Sequence, residues 1–266
     1  MSPSLPSPDP IDPAALHAAG LATVEVLAAA ESTMIRSREL AADPGCPLPA
    51  AVIADRQTKG RGRRGAGWWQ AEGGLAVSIV LATHAGSPPP TWSLACGVAL
   101  AETLRSVQPA VAAVVRWPND VEVAGRKLAG ILVDAVADGR AIFGIGVNTT
   151  GSAADAPPAI AHRVATLPDL TGAALPRGRL LAAFLPRFHD LLGLLAADPG
   201  QLPLRYCPLC ALDGKPVTIH TADGRHHGVC RGIAADGGLV LDTPAGRRHF
   251  TSGSLTDPAA VWRADD

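Results

Sequence analysis

Cysteine is scarce in this chain of 266 residues, and its five positions do not form the pattern of a disulfide-stabilised protein. The number is odd, whereas a disulfide framework uses an even set at regular spacings. Cys207 and Cys210 form one CxxC motif, but no second CxxC exists, and a structural zinc ion needs four ligands. His220, His226 and His227 lie nearby as alternative ligands. On balance the sequence predicts neither disulfides nor a metal site.

A strong net charge and long apolar runs are also absent. The formal net charge is −1, so no overall field favours nucleic acid or an anionic membrane as a partner. The apolar segment 74–83 has about half the length of a membrane-spanning helix. The first twenty residues lack the basic and apolar regions of a signal peptide. We therefore expect a cytoplasmic protein that binds neither nucleic acid nor a membrane.

The order of the predicted elements indicates an α+β protein with a mixed sheet, followed by a small β-barrel domain. Apolar runs and turn signals predict these strands and helices: strands 23–30, 50–54, 75–83, 111–117, 121–123, 128–136 and 141–147, and helices 13–21, 92–107 and 176–197. Pro186 is expected to kink or interrupt the last helix. Four short strands separated by glycine turns follow within 217–251. The predicted boundaries are a flexible segment 1–22, a catalytic domain 23–212 and a β domain 213–266.

The most informative segment is the run 60–68, GRGRRGAGW, which we call the Gly/Arg loop. Its glycines disfavour regular structure, and its three arginines can surround an anion together with backbone N–H groups. A GxxxxGK[ST] phosphate-binding loop is absent from the chain, which excludes a P-loop nucleoside triphosphatase. On its own the segment also fits a solvated basic loop or a nucleic-acid-binding patch.

Two further segments carry polar residues at the ends of predicted strands. Asn119 and Asp120 follow Trp117-Pro118, where turn residues commonly cap the local backbone. Lys127 begins the apolar run KLAGILV, so its amine must either reach solvent along the surface or meet an anion. The other segment is 144–148, GIGVN. Its alternating glycines allow another group to approach the strand closely, and Asn148 stands at the end of the strand.

Together these segments resemble the biotin–protein ligase family. Three blocks occur in that family's order, namely GRGRRG with a following Trp, WPND followed by KLAGIL, and GIGVN. Glu31-Ser32-Thr33 is similar to the family's biotin-binding turn, and the tail resembles its SH3-like C-terminal domain. The resemblance covers about residues 23–255 and implies the biotin/lipoate ligase type of catalytic domain. It implies the form without an N-terminal DNA-binding domain, because only about thirty residues precede Ser32.

The resemblance also implies roles for individual residues. Biotin would contact Ser32, Thr33, Gln57, Gly60, Arg61, Gly62, Arg63, Lys127 and Gly130. The nucleotide would contact Arg63, Arg64, Trp68, Asn119, Lys127 and Asn148. The catalytic residues would be Lys127, Arg61, Arg63 and Asp120. Met34 and Ala66 depart from the family pattern, which commonly has Asn and Arg there.

The implied reaction explains this residue set. Biotin's carboxylate attacks the α-phosphorus of ATP, and a carboxylate needs no general base because it is already ionised at pH 7. Cations must instead offset the repulsion between two anions. The product, biotinyl-5'-AMP, then passes biotin to a lysine of a biotin carboxyl carrier domain. Mg²⁺ is the expected metal partner of ATP, and a homodimer is possible.

A lipoate or octanoate protein ligase or transferase is the nearest alternative, because those enzymes share the catalytic fold. The Gly/Arg loop with its Trp and the SH3-like tail favour biotin. A DNA-binding regulator is disfavoured because the residues before Ser32 contain almost no lysine or arginine. A protein that binds biotin without transferring it is the third alternative.

Overall fold

A computed structural model describes residues 9–65, 67–83, 91–136 and 139–256 of the chain. In chain order its helices and strands are α1 (Pro13–Ala18), β1 (Thr23–Leu27), α2 (Thr33–Ala42), β2 (Ala50–Ala54), β3 (Leu75–Ala82), α3 (Thr91–Val107), β4 (Val114–Arg116), β5 (Asp120–Val123), β6 (Arg126–Val136), β7 (Arg140–Val147), α4 (Pro158–Ala161), α5 (Leu167–Thr171), α6 (Arg177–Ala197), α7 (Gln201–Tyr206), β8 (Pro216–Thr221), β9 (Gly224–Ile233), β10 (Leu239–Thr243), β11 (Gly246–Phe250) and β12 (Ser254–Thr256).

The strands form two sheets. The first has seven strands in the order β1-β2-β3-β7-β6-β5-β4. It is mixed, because β1 and β2 run parallel whereas the other neighbours are antiparallel. The second is an antiparallel sheet in the order β11-β10-β9-β8-β12. This architecture confirms the predicted α+β class, with a mixed catalytic sheet followed by a small SH3-like β domain.

Both faces of the first sheet are covered, so its central strands are apolar throughout. Alternate residues of a strand point to opposite faces. In β2, Ala51 and Ile53 belong to the main core with α3 and α6, whereas Ala50 and Val52 pack with Met34 of α2. The continuous apolar runs that predicted these strands are a consequence of this two-sided burial.

The sequence predicted that Pro186 kinks or interrupts α6, and the helix is not interrupted there. The helix continues from Arg177 to Ala197, and Pro186 lies on its exposed face. Phe184 and Phe188 on the opposite face are buried and stack at 5.2 Å, and this packing offsets the missing backbone donor. Among the described residues α6 alone has the length and hydropathy of a membrane span, and its apolar face is packed in the core.

The described part of the predicted flexible segment, residues 9–22, is packed against the rest of the protein. Leu16 of α1 and the flanking Ile11 and Leu21 are buried in the main core. Asp9 accepts a hydrogen bond of 2.6 Å from the backbone N–H of Arg177 at the start of α6. Apolar side chains and this carboxylate therefore order a segment whose composition suggests flexibility.

The two sheets share one core and are joined by hydrogen bonds. Trp117 donates its indole N–H to the carbonyl of Gly237 at 3.0 Å, and Ala211 donates its N–H to the carbonyl of Val115 at 3.0 Å. Buried residues of the second sheet, such as Ile219 and Leu241, belong to the same cluster as those of α3. This packing places the second sheet beside the turn between β4 and β5.

Candidate active site

A cavity of about 270 Å³ collects residues from widely separated parts of the chain. All of the predicted site residues line it except Gly60 and Asn148. The sequence analysis assigned no ligand contact to the remaining lining residues, which are Met34, Gly67, Ile131, Leu132, Gly144, Ile145, Gly146 and Ser254. Ser254 lies on β12, so the second sheet contributes to the wall. The Gly/Arg loop, α2 and the ends of β5, β6 and β7 therefore meet at one place.

One end of the cavity presents an oriented amide. Ser32 is the extended N-cap of α2, and the next residue, Thr33, donates its backbone N–H to Gln57 Oε1 at 3.0 Å. A backbone N–H can only donate, so the oxygen of the Gln57 side chain must face Thr33. The Gln57 Nε2 group has no hydrogen-bond partner among the described residues and is available to a ligand. This end can therefore donate a hydrogen bond to a ligand's acceptor.

Ser78 supports this amide, and the sequence analysis did not identify it. Its hydroxyl lies 2.7 Å from Thr33 Oγ1, and the residue is buried in β3. Thr33 Oγ1 in turn lies 3.3 Å from Gln57 Oε1. The available signal was one hydroxyl inside the otherwise apolar run LAVSIVLA, because a buried hydroxyl normally has a specific partner.

The other end of the cavity is cationic. Lys127 Nζ lies 2.7 Å from Asp120 Oδ1 and 5.5 Å from the centroid of the Trp68 ring. Arg63 donates to Asn119 Oδ1 at 3.4 Å. Burial, followed by the charge of Arg64, lowers the pKa of the Arg63 guanidinium. A nearby anion would stabilise the charged guanidinium against both effects, and together with Lys127 this makes the end suitable for a negatively charged ligand.

The Gly/Arg loop folds back on itself over this end. Trp68 donates its N–H to the carbonyl of Gly60 at 3.0 Å, and a β-carbon at Gly60 would lie 2.8 Å from the Trp68 carbonyl oxygen. Gly60 therefore shapes the loop and does not line the cavity. Arg64 adopts a left-handed backbone conformation, with φ of 56°. Ala66, where the family commonly has arginine, lies outside the described residues.

Three glycines form a floor on which larger side chains lie. A β-carbon at Gly146 would come within 2.6 Å of Trp68 Cζ2, and one at Gly144 within 2.6 Å of Met34 Sδ. A β-carbon at Gly130 would lie 3.0 Å from Lys127 Cε and 3.1 Å from Trp68 Cζ3. The alternating glycines of GIGVN thus admit the indole and the thioether. Met34 occupies the apolar side of the cavity, where the family pattern has an amide.

Replacing Gly146 by alanine should displace the Trp68 ring. We expect a loss of about 1–3 kcal/mol in the free energy of unfolding, as for other overpacked sites, together with weaker ligand binding in the cavity. Denaturant unfolding and calorimetric titration with biotin measure the two effects. Gly193→Ala is the control, because Gly193 is exposed on α6 with no atom near its β-carbon position. Unchanged stability of Gly146→Ala would contradict the contact with Trp68.

Asn148 does not line the cavity. Its side-chain N–H₂ donates to the carbonyl of Ala165 at 3.0 Å, and its backbone carbonyl accepts from Leu167 N at 3.0 Å. Its Oδ1 atom is buried with no hydrogen-bond partner among the described residues. Asn148 therefore holds the segment before α5, which also pairs with the backbone of Lys127.

The CxxC motif does not form a metal centre with the histidines. Cys207 is exposed, whereas Cys210 is half-buried beside Cys230. A hydrogen bond from the Cys230 thiol, opposed by burial, lowers the pKa of Cys210. Within the described ranges no group of three His, Cys, Asp or Glu side chains can hold a metal ion.

Comparison with known proteins matches both parts of the chain. Residues 30–149 match the Biotin/lipoate A/B protein ligase family, and residues 214–254 match the Biotin protein ligase C terminal domain. The Biotin–[acetyl-CoA-carboxylase] ligase of Paracoccus denitrificans is 34% identical over 84% of this chain and 95% of its own length. The enzyme of the same description from Mycobacterium tuberculosis is 33% identical over 72% of each chain.

A solved structure shows the same fold. The biotin protein ligase from Aquifex aeolicus, in complex with biotin and ATP, superimposes with a TM-score of 0.76 at 27% sequence identity. The superposition covers 89% of this chain and 98% of the Aquifex chain. Two relatives above 30% identity, both matched domains and the shared fold lead to one conclusion: the chain belongs to the biotin protein ligase family.

Proposed function

We propose that the protein joins biotin to ATP as biotinyl-5'-AMP, with release of pyrophosphate. It then transfers the biotinyl group to a lysine amine of a biotin carboxyl carrier domain, with release of AMP. The main support for this proposal is that Lys127, Arg61 and Arg63 line the same cavity as the side-chain amide of Gln57. Such a cavity can hold a ligand that has a neutral hydrogen-bonding ring at one end and a carboxylate at the other.

The proposed positions of the substrates follow from this polarity. The ureido ring of biotin would lie against Ser32, Thr33 and the Gln57 amide, and its carboxylate would lie at Lys127. The nucleotide would extend towards Arg63, Arg64, Trp68, Asn119 and Asn148. One buried atom of a lining residue supports this direction, because Trp68 Nε1 has no hydrogen-bond partner among the described residues. The Aquifex relative binds both biotin and ATP.

The cations make the first step possible. Two like unit charges 4 Å apart repel each other by about 4 kcal/mol at an effective dielectric constant of 20. The ammonium of Lys127 and the guanidinium groups of Arg61 and Arg63 offset that repulsion and stabilise the charge that develops on the phosphorus. The chain thus brings an ionised nucleophile to its target without a general base.

The cavity fits a Mg²⁺ ion that is bound jointly by ATP and the protein, rather than one bound by protein ligands alone. Of the described lining residues only Asp120 carries a carboxylate. Mg²⁺ typically keeps several waters and binds one or two carboxylates together with substrate phosphates. Asp120, with Asn119 beside it, would hold the ion, which supplies further neutralisation of the phosphates.

Asp120 also has a proposed role in the second step. The attacking lysine amine of the carrier is mostly protonated at pH 7, since its ordinary pKa is about 10.4. The Asp120 carboxylate lies 2.7 Å from the ammonium nitrogen of Lys127, a position that suits contact with a second cationic amine. In the transfer step it would orient the incoming ammonium and receive its proton. The Gly/Arg loop would keep water from the mixed anhydride.

The test is incubation of the protein with MgATP, a carrier domain and biotin, followed by intact mass measurement. We expect the mass of one biotinyl group on a single carrier lysine. Parallel reactions with lipoate and octanoate test the nearest alternative function. Transfer of lipoate or octanoate in preference to biotin would overturn the proposal. Biotin binding without transfer would identify a binding protein instead.

We also propose a cytoplasmic location and a homodimer. β1 is an edge strand that pairs only with β2 among the described strands, and an exposed edge can pair with a second copy. Light scattering across a range of protein concentrations tests this assembly. A monomer at every concentration would contradict it.

A further inference from the structure

Gln70 has three side-chain hydrogen bonds at the point where β2 runs into the cavity. The half-buried residue follows the Gly/Arg loop and precedes β3. Its Oε1 accepts from Gln57 N at 3.3 Å, and its Nε2 donates to the carbonyls of Asp55 at 3.2 Å and Gly74 at 2.8 Å. One backbone donor and two backbone acceptors surround the amide, so only one orientation satisfies all three.

These bonds replace a strand that is missing at this edge. β2 pairs with β3 as far as Ala54, opposite Ala76. Beyond that point Asp55 O and Gln57 N face the same edge, as groups two residues apart do in an extended chain. The carboxamide of Gln70 has the donor and acceptor of a peptide unit, and it bonds to both groups. On the opposite edge, Gln57 is bridged to Ala30.

The position of the Gln57 backbone determines where the Gln57 side-chain amide points. With the main chain in this extended register, Gln57 Oε1 lies 3.0 Å from Thr33 N, so a shift of the main chain would move the side-chain oxygen with it. Asp55 is held by a second group as well, since its carboxylate lies 2.8 Å from Arg177 Nη1. Without Gln70, the Gln57 N–H would lose its partner on this side, and the chain from 55 to 57 would lose its support next to the loop.

We propose that Gln70 is a positioning residue for biotin, which acts by fixing the backbone of Gln57 and hence the direction of the Gln57 amide. The inference rests on the proposed function. It assigns to Gln70 an effect on the affinity for the ring end of biotin and none on the chemical steps, because its three bonds all go to backbone atoms away from Lys127.

The test compares Gln70→Glu with the wild-type protein by calorimetric titration with biotin alone and by steady-state kinetics. Glutamate keeps the acceptor oxygen but loses both donors and faces two carbonyls. We expect biotin affinity to fall about tenfold or more, the usual consequence of unpaired buried polar groups. The kcat at saturating biotin should change less than about twofold, since the reacting groups are untouched. Gln201→Glu is the control, because within the described part of the chain Gln201 Nε2 donates only to Asp198, on the surface.

A double-mutant cycle separates positioning from general damage. In a Gln57→Ala background, Gln70→Glu should have little further effect on biotin affinity, because it acts through the missing amide. Additive losses, or a fall in kcat together with the melting temperature, would overturn the inference. If the wild-type protein binds biotin and Gln70→Glu binds it equally well, this inference is overturned and the proposed function is not. A wild-type protein that binds no biotin would overturn both this inference and the proposed function.

Discussion

Replacement of Lys127 by alanine is expected to raise the activation barrier to biotinyl-5'-AMP formation by about 2–4 kcal/mol, the range found when one charge-stabilising group is removed. The Lys127 ammonium is half-buried, lies beside Asp120 and faces Trp68. Its loss leaves the Asp120 carboxylate without that cation in a cavity that must also receive two anions. Repulsion of biotin's carboxylate then adds to the weaker stabilisation of the phosphorus.

Biotin-dependent exchange between pyrophosphate and ATP measures this effect, because it reports the first step without the carrier. Lys59→Ala is a matched control, since Lys59 is exposed, pairs with Glu31 and lies outside the cavity. Its exchange rate should stay close to that of the wild type. An exchange rate in Lys127→Ala equal to the wild type would remove Lys127 from the proposed mechanism.

Replacement of Arg177 by alanine is expected to lower the free energy of unfolding by about 3–5 kcal/mol, as for other buried ion pairs that lose one partner. The Arg177 side chain is 1% exposed and lies 2.8 Å from Asp55 Oδ1 and 3.5 Å from Asp9 Oδ2. It also donates to the backbone carbonyl of Asp9 at 2.8 Å. Its removal takes the guanidinium away from both carboxylates and weakens the attachment of the N-terminal segment to α6, which then depends on the backbone N–H of residue 177 and on apolar packing.

Urea unfolding followed by tryptophan fluorescence measures this loss. Arg187→Ala is the control on the same helix, because Arg187 is exposed and, among the described residues, its side chain bonds only to the Ser106 hydroxyl. A change within about 0.5 kcal/mol is expected there. Equal stability of the two variants would show that the ion pair adds nothing to the fold. Weaker biotin binding in Arg177→Ala alone would agree with the support that Asp55 gives to Gln57.

The helix α2 shows why some elements escaped the sequence analysis. Its buried residues include Met34, Ser37 and Leu40, which have the spacing of one helix face. Ser37, in the middle of that face, is polar and therefore breaks the apolar pattern. It can be buried because its hydroxyl donates to the backbone carbonyl of Ser78 in the sheet. β12 was missed for another reason, since three residues carry no periodicity and Ser254–Thr256 becomes a strand by pairing with β8.

Clustered charges and glycines are local signals, and most of the residues that they singled out line one cavity. These residues are the arginines of the Gly/Arg loop, Lys127 and the Asn119-Asp120 turn. Ser78, Gln70 and Ser254 gave no comparable signal, because their importance depends on partners 13 to 45 residues away or on a different sheet.

The sequence alone therefore determined the strands of the mixed sheet, the β-type tail and the chemical character of the site. Apolar runs, glycine turns and clustered cations act through neighbouring residues, and they can be read without knowing how the chain folds. Tertiary structure alone decided that Trp68 and Met34 lie on the glycine floor, that Gln70 completes the edge of β2 and that Arg177 holds the N-terminal segment. Those contacts join residues far apart in the chain, and their geometry exists only after the sheet and its covering helices have packed.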